Sequence, residues 1–177
     1  VSAEAGRTPC RSGCGTLDGE MRLSVVVPGF NESATVAKLL DRVAAAPLPD
    51  AVGELEIVVV DDSSTDGTWP VLESWQPVLR EDERLVVVAR DRLPENRGKG
   101  AALRKGFSAA SGEILLIQDA DLEYDPVDYP LLLQPIVAGD EVILPGELAL
   151  DLLLLLVVQL RVLDDPVDVL IEPLIGD

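Results

Sequence analysis

The chain has 177 residues and a formal net charge of −18, from 32 acidic against 14 basic side chains. That length suits one domain with a sizeable core, and the charge argues against nucleic-acid partners and broad adhesion to anionic lipid. With no histidine and only two cysteines, His-based triads, His metal sites, disulfide frameworks and four-Cys zinc sites are excluded, and a reducing, cytoplasmic setting is the default.

Residues 1–20 are rich in Gly, Ser, Thr and charge and read as a disordered extension carrying Cys10 and Cys14. Met21, the only methionine, stands directly before the first strand and reads as the natural start, with upstream sequence before it. Leu23 to Val27 is an unbroken apolar run, the pattern of a strand buried on both faces. It stops at Pro28-Gly29-Phe30-Asn31-Glu32. A helix is expected from about Ser33 to Ala45, with Val36, Leu39, Leu40 and Val43 on one face, Ser33 or Asn31 as cap, and Pro47 and Pro49 beyond its end.

Leu55 to Val60 is the second strand and runs into Asp61-Asp62-Ser63-Ser64-Thr65-Asp66-Gly67-Thr68. The Ser/Thr/Asp density supplies turns and caps for a helix to about Leu79, with Pro70 in its first turn. Leu85 to Ala89 is the third strand. Glu95-Asn96-Arg97-Gly98-Lys99-Gly100 then opens a helix to about Ala110, with Gly112 as its stop. This turn is neither a P-loop, since Gly100 follows Lys99, nor a dinucleotide fingerprint, since Leu103 stands at the third small position. It remains a basic turn at a helix N-terminus, which attracts phosphate.

Ile114 to Ile117 is the fourth strand, followed by Gln118-Asp119-Ala120-Asp121. Asp119 and Asp121 are two apart and in extended backbone point to one side. Two hard oxygen donors suit Mg2+ or Mn2+ carrying a diphosphate; the alternative is a turn or helix cap. A helix to about Ala138 follows, shortened or kinked by Pro130 and Pro135. From Glu141 the chain is apolar and acidic, and Leu152 to Val158 is too short for a membrane span. This tail is expected to pack on its own sheet or form a homodimer contact, because several Leu and Val side chains are at stake at roughly 1.5–3 kcal/mol each.

Alternating strands and helices from Leu23 to Ala138 predict an α/β, mostly parallel twisted sheet with helices on both faces, whose acidic loops share one edge. In their order and spacing, Val26-Val27-Pro28-Gly29-Phe30-Asn31-Glu32, Ile57 to Thr68, Asn96-Arg97-Gly98-Lys99-Gly100 and Asp119-Ala120-Asp121 resemble family 2 glycosyltransferases, and within them the polyprenyl (dolichyl) phosphate mannosyl- and glucosyltransferases. The resemblance covers about residues 22 to 140. It implies a GT-A fold and inverting transfer from a UDP- or GDP-linked sugar to an acceptor, foremost a lipid phosphate at a membrane surface, by a protein peripheral to that membrane. It implies that Pro28, Phe30, Asn31 and Glu32 line the nucleoside pocket and that Asp61 and Asp62 reach the base. Lys99 and Ala120 complete the donor-binding set, and Asp119 and Asp121 hold the metal and diphosphate as the catalytic pair. Phe30 stands where the family often has Tyr. Where relatives carry a Gly-Ser-Arg segment, Pro145-Gly146-Glu147 stands here without an arginine. Two other readings stay open: a family 2 transferase with a hydroxyl acceptor, and a truncated, catalytically inactive donor-binding domain.

Overall fold

The computed structural model describes residues 21–77, 82, 84–138 and 159–160. The expectations for residues 1–20, and for the tail other than Gln159 and Leu160, lie outside these residues.

The strands β1 (Met21–Gly29), β2 (Val52–Asp61), β3 (Leu85–Arg92), β4 (Ile114–Ile117) and β5 (Gln159–Leu160) form one sheet in the order β3-β2-β1-β4-β5. The first four run parallel, with Val25 opposite Ile57 and Leu116, and Ile57 opposite Val88. β5 pairs antiparallel with β4, Leu160 against Ile114 and Gln159 against Leu115, so two residues of the tail return to the sheet edge. The helices are α1 (Val36–Ala44), α2 (Thr68–Ser74), α3 (Lys99–Ala109) and α4 (Tyr129–Val137), the last preceded by a short 3-10 turn at Pro126–Asp128. The parallel sheet with flanking helices is the architecture that the alternating pattern predicts.

The unbroken apolar runs are explained by two cores. Side chains alternate along a strand, so Leu23, Val25 and Val27 with Leu55, Ile57 and Val59 form one buried cluster with α1, α2 and α4. Val26, Val58, Val60, Leu115 and Ile117 form the other, with Ala102, Leu103 and Phe107 of α3. Gly106 lets α3 lie close on β1, because a Cβ there would meet Val26 Cγ1 at 2.3 Å.

Several boundaries differ from the expectation. α1 begins at Val36, with neither Ser33 nor Asn31 as its cap. Asn31 sits at φ 59°, its Oδ1 accepting from the Thr65 amide, and the Ser33 amide donates to Asp66. α2 ends at Ser74 instead of near Leu79. Trp75 turns extended, its indole donates to Asp41 at 2.9 Å, and Pro77 disfavours helical backbone at Gln76. α3 ends at Ala109 with Ala110 extended, so Gly112 is not its stop. Gly112 serves a close approach instead: a Cβ there would meet the Arg22 carbonyl at 2.7 Å and the Ser24 amide at 2.8 Å. Pro130 falls in the first turn of α4, where a missing amide costs nothing, and Pro135 lies inside the helix.

The topology fixes where a ligand can sit. From β1 the chain builds outward through β2 to β3, then α3 carries it back to place β4 on the other side of β1. The loops after β1 and β4 therefore diverge, and open α/β sheets bind ligands in that crevice.

Candidate functional site

A cleft of about 220 Å3 opens at this switch point, lined by Pro28, Gly29, Phe30, Glu32, Asp62, Lys99, Ala102, Asp119, Ala120 and Asp121. Loops following β1, β2, β3 and β4 all contribute, because parallel strands deliver their C-terminal ends to one edge.

The β1 and β2 loops are laced together by backbone donors meeting side-chain acceptors. The amides of Asn31, Glu32 and Ser33 donate to Ser64 Oγ (2.9 Å), Thr68 Oγ1 (2.8 Å) and Asp66 Oδ2 (3.1 Å). In return the Thr65 amide donates to Asn31 Oδ1 at 2.9 Å. Asp66 also accepts from the amide and hydroxyl of Thr68. The Thr68 hydroxyl foremost, with Ser33 adding to it against a smaller opposing effect of burial, holds the Asp66 carboxyl well below the usual carboxylate range. Glu32 accepts from Thr35 Oγ1 on one oxygen, at 2.5 Å.

The adjacent aspartates of β2 have separate tasks. Asp61 is fully buried, accepts from the Ser64 amide and pairs with Arg92 Nε at 3.0 Å. Arg92 also donates to the Ser64 carbonyl and lies over the Trp69 ring. Asp62 accepts from the Arg97 amide (2.8 Å) and the Gly98 amide (2.7 Å), and so clasps the turn that starts α3. Gly98 is at φ 86°, a left-handed conformation that glycine adopts without steric cost. The clasp presents Lys99, whose Nζ lies 2.7 Å from both oxygens of Asp119.

Past β4, the Asp119–Asp121 segment is a turn and not extended strand, so the expectation that the two carboxylates share a side through the strand pleat is corrected. They reach one cleft because the turn curls round it, with Asp121 Oδ1 accepting from the Glu123 amide at 3.0 Å. Behind the turn, Gln118 is buried; Tyr129 Oη donates to its Oε1 at 2.9 Å, and its Nε2 donates to the carbonyls of Asp119 (3.3 Å) and Tyr124 (3.4 Å). Burial of Tyr129, and secondarily the charge of Asp125, push its phenol far above the ordinary value, so it stays a donor.

The cleft thus gathers Pro28, Phe30, Glu32, Asp62, Lys99, Asp119, Ala120 and Asp121. Asn31 and Asp61 are not among its lining residues; both serve the loops beneath. Sequence reasoning placed Ser64 and Thr68 only in turn and cap chemistry, without the cross-loop bonds they make, and missed Arg92, Gln118 and Tyr129 as supports. A polar Gln between an apolar strand and an Asp-x-Asp was the one available signal, because a buried amide requires partners. Among the described residues no group of three or more His, Cys, Asp or Glu could hold a metal ion. No helix among the described residues is long and apolar enough to cross a membrane.

Comparison with known proteins matches Glycosyl transferase family 2 over residues 24–147. The undecaprenyl-phosphate 4-deoxy-4-formamido-L-arabinose transferase of Aeromonas hydrophila is 35% identical over 121 residues, 68% of this chain and 35% of that protein. The dolichol-phosphate mannosyltransferase of Pyrococcus furiosus is 32% identical over 124 residues, 69% of this chain and 32% of that protein. The crystal structure of S. aureus TarS 1-349 superposes with a TM-score of 0.52 at 28% identity, covering 67% of this chain and 33% of that one. The chain spans about a third of the length of the curated relatives it matches.

Proposed function

From the premise that the chain belongs to glycosyl transferase family 2, we propose that its cleft binds a UDP- or GDP-linked sugar and that the sugar passes, with inversion, to a polyprenyl or dolichyl phosphate at a membrane surface. The observation that carries this reading is the convergence of Asp119, Asp121, Lys99 and Asp62 on one cleft at the switch point of a parallel sheet. The names of the Aeromonas and Pyrococcus relatives support a polyprenyl phosphate acceptor.

The residues present fit a Mg2+ or Mn2+ ion. Asp119 and Asp121 are hard oxygen donors, and the Lys99 ammonium already lies as a cation against both oxygens of Asp119. Two carboxylates completed by phosphate oxygens and water are the set that Mg2+ takes, which agrees with a site needing the nucleotide to be complete. Such an ion supplies Lewis-acid neutralisation of a leaving diphosphate.

The chain's own groups supply the rest. A protein with a net charge of −18 repels an anionic ligand unless local cations counter it. Lys99, clasped in place through Asp62, brings its ammonium to the diphosphate, and the N-terminus of α3 adds its partial positive charge. Phe30, 45% exposed at the cleft, offers a ring face to the base. Glu32 has one oxygen on Thr35 and the other left for ribose hydroxyls. Asp62 retains lone pairs beyond its two amide partners for a base N–H. The acceptor oxygen attacks the anomeric carbon from the face opposite the diphosphate. A phosphate acceptor is already ionised near neutral pH, its second pKa being about 6, and needs no general base. That suits a chain without histidine.

The test is a thermal-shift screen of UDP- and GDP-sugars with and without Mn2+, followed by transfer to a short-chain polyprenyl phosphate in detergent. A metal-dependent rise with one nucleotide class, plus transfer, supports the reading through ligand linkage. Stabilisation without transfer selects a donor-binding domain, and no stabilisation by any nucleotide sugar removes the donor site altogether.

A further inference from the structure

We propose that Gln118 and Tyr129 are positioning residues for the Asp119–Asp121 turn: one buried carboxamide, oriented by the Tyr129 hydroxyl, holds both ends of the loop that carries the two carboxylates. The proposal rests on the donor-site reading above and adds residues outside the cleft to it.

β4 ends at Ile117, and the Gln118 amide still donates to the Val26 carbonyl at 3.0 Å, so Gln118 is the last residue registered on the sheet. Everything that aims Asp119 and Asp121 happens after that point. A buried carboxamide is costly unless all its polar atoms are engaged. Here Oε1 accepts from Tyr129, which leaves the Nε2 hydrogens for the Asp119 and Tyr124 carbonyls. The amide's orientation follows from its partners, since carbonyls can only accept. Those two carbonyls lie near the two ends of the turn.

Between them, Leu122 is held at φ 68°, in the left-handed region that non-glycine residues rarely adopt. Such a conformation persists where its surroundings over-determine it. Asp121, one residue earlier, accepts from the Glu123 amide across the same strained position. The turn that aims Asp121 at the cleft is therefore held from behind. Tyr129 makes a firm anchor: it is the first residue of α4 and lies fully within the core. An outer partner that orients a metal-binding carboxylate typically contributes a 10–100-fold effect on affinity or activity.

Three variants of the full chain separate a positioning role from packing alone. Tyr129→Phe removes one oxygen. Gln118→Met removes the carboxamide at similar volume. The double variant removes both side chains of the pair, so neither is left as a buried polar group without its partner, and it leaves the Asp119 and Tyr124 carbonyls without the carboxamide. Urea unfolding reports the fold. Free Mn2+, measured by electron paramagnetic resonance in separate series with UDP and GDP, reports the site without reference to turnover. The double variant should still unfold cooperatively in urea, at a midpoint no lower than that of Gln118→Met, while its nucleotide-dependent Mn2+ affinity falls on the order of 10-fold. Tyr129→Phe should show a smaller loss in the same direction. Parental Mn2+ affinity in a folded double variant overturns the inference and leaves the donor site standing. Should the double variant fail to fold, Tyr129→Phe decides alone: unchanged affinity overturns the inference and reduced affinity supports it. If the parent chain shows no nucleotide-dependent Mn2+ binding, the donor-site reading fails and the inference falls with it.

Discussion

Gly106→Ala tests how α3 is seated, and with it the position of Lys99. In an exposed helix interior this change stabilises by roughly 0.5–1 kcal/mol, because glycine loses more backbone freedom on folding. At Gly106 the new methyl would lie 2.3 Å from Val26 Cγ1, far inside the 3.5–4.0 Å of ordinary carbon contacts. Val26 is fully buried on β1, between β2 and β4, so its side chain has little room to yield. Overpacking of this kind costs about 1–3 kcal/mol, and subtracting the backbone gain leaves a net loss of roughly 0–2.5 kcal/mol, centred a little above 1 kcal/mol. Urea unfolding followed by Trp69 and Trp75 fluorescence should show a lower midpoint at constant slope. Val26→Ala alone should destabilise by leaving a cavity, and combining it with Gly106→Ala should restore stability relative to the sum of the two, because the new methyl occupies the vacated space. A Gly106→Ala chain more stable than the parent, or a strictly additive double mutant, would refute the close-approach argument.

Asp121→Ala should abolish Mn2+-dependent binding of UDP or GDP measured by calorimetry, whereas Asp66→Ala, at a residue that laces two loops outside the cleft, should leave that binding largely intact and lower the melting temperature. Arg92→Met should destabilise by roughly 2–4 kcal/mol, and Asp61→Asn by less. The first strands a carboxylate with no exposure, while the second leaves a guanidinium that is 40% exposed and can hydrate; equal urea midpoints would contradict this. Asp66 and Glu56 both have folded-state pKa values below their ordinary ones: Asp66 through the Thr68 hydroxyl foremost, Glu56 because hydrogen bonds from Ser111 and Ser24 and the charge of Arg22 outweigh its burial. A depressed folded pKa adds stability that is complete above the unfolded value, near 4, and is lost as pH falls through the lower folded value. Urea midpoints between pH 6 and pH 2.5 should therefore fall with acid, and Asp66→Asn should flatten that slope; an unchanged slope would exclude Asp66 as a contributor.

The Gln118–Tyr129 pair marks the boundary of what could be read without coordinates. Strand runs such as Leu23 to Val27 and Ile114 to Ile117 were legible because burial on both faces demands continuous apolar sequence. The acidic loops were legible because parallel strands bring like ends to one edge. Which acid would face the cleft was not legible. Asp61 and Asp62 are neighbours of identical chemistry, yet one is sealed under Arg92 and the other clasps the Arg97–Gly98 amides, partners 31 and 35 or more residues away. Glu56 shows the same limit inside a strand: it is a buried carboxylate whose donors, Ser24 and Ser111, come from segments 32 and 55 residues away.

By itself the sequence determined the order and kind of the elements from β1 to α4, the family resemblance and the residue types gathered at the loops, because these depend on local periodicity and on breakers such as Pro47 and Pro49; it did not show that β1 continues through Pro28 and Gly29 or that Gln159–Leu160 form a strand. Only the tertiary structure decided the strand order, the switch point that opens the cleft, the curl that brings Asp119 and Asp121 to it, and the division between residues that line the site and those that hold it. Those outcomes depend on hydrogen bonds and close approaches between segments far apart in the chain, such as Gly106 on Val26, and no local pattern encodes which distant partner a polar group will find.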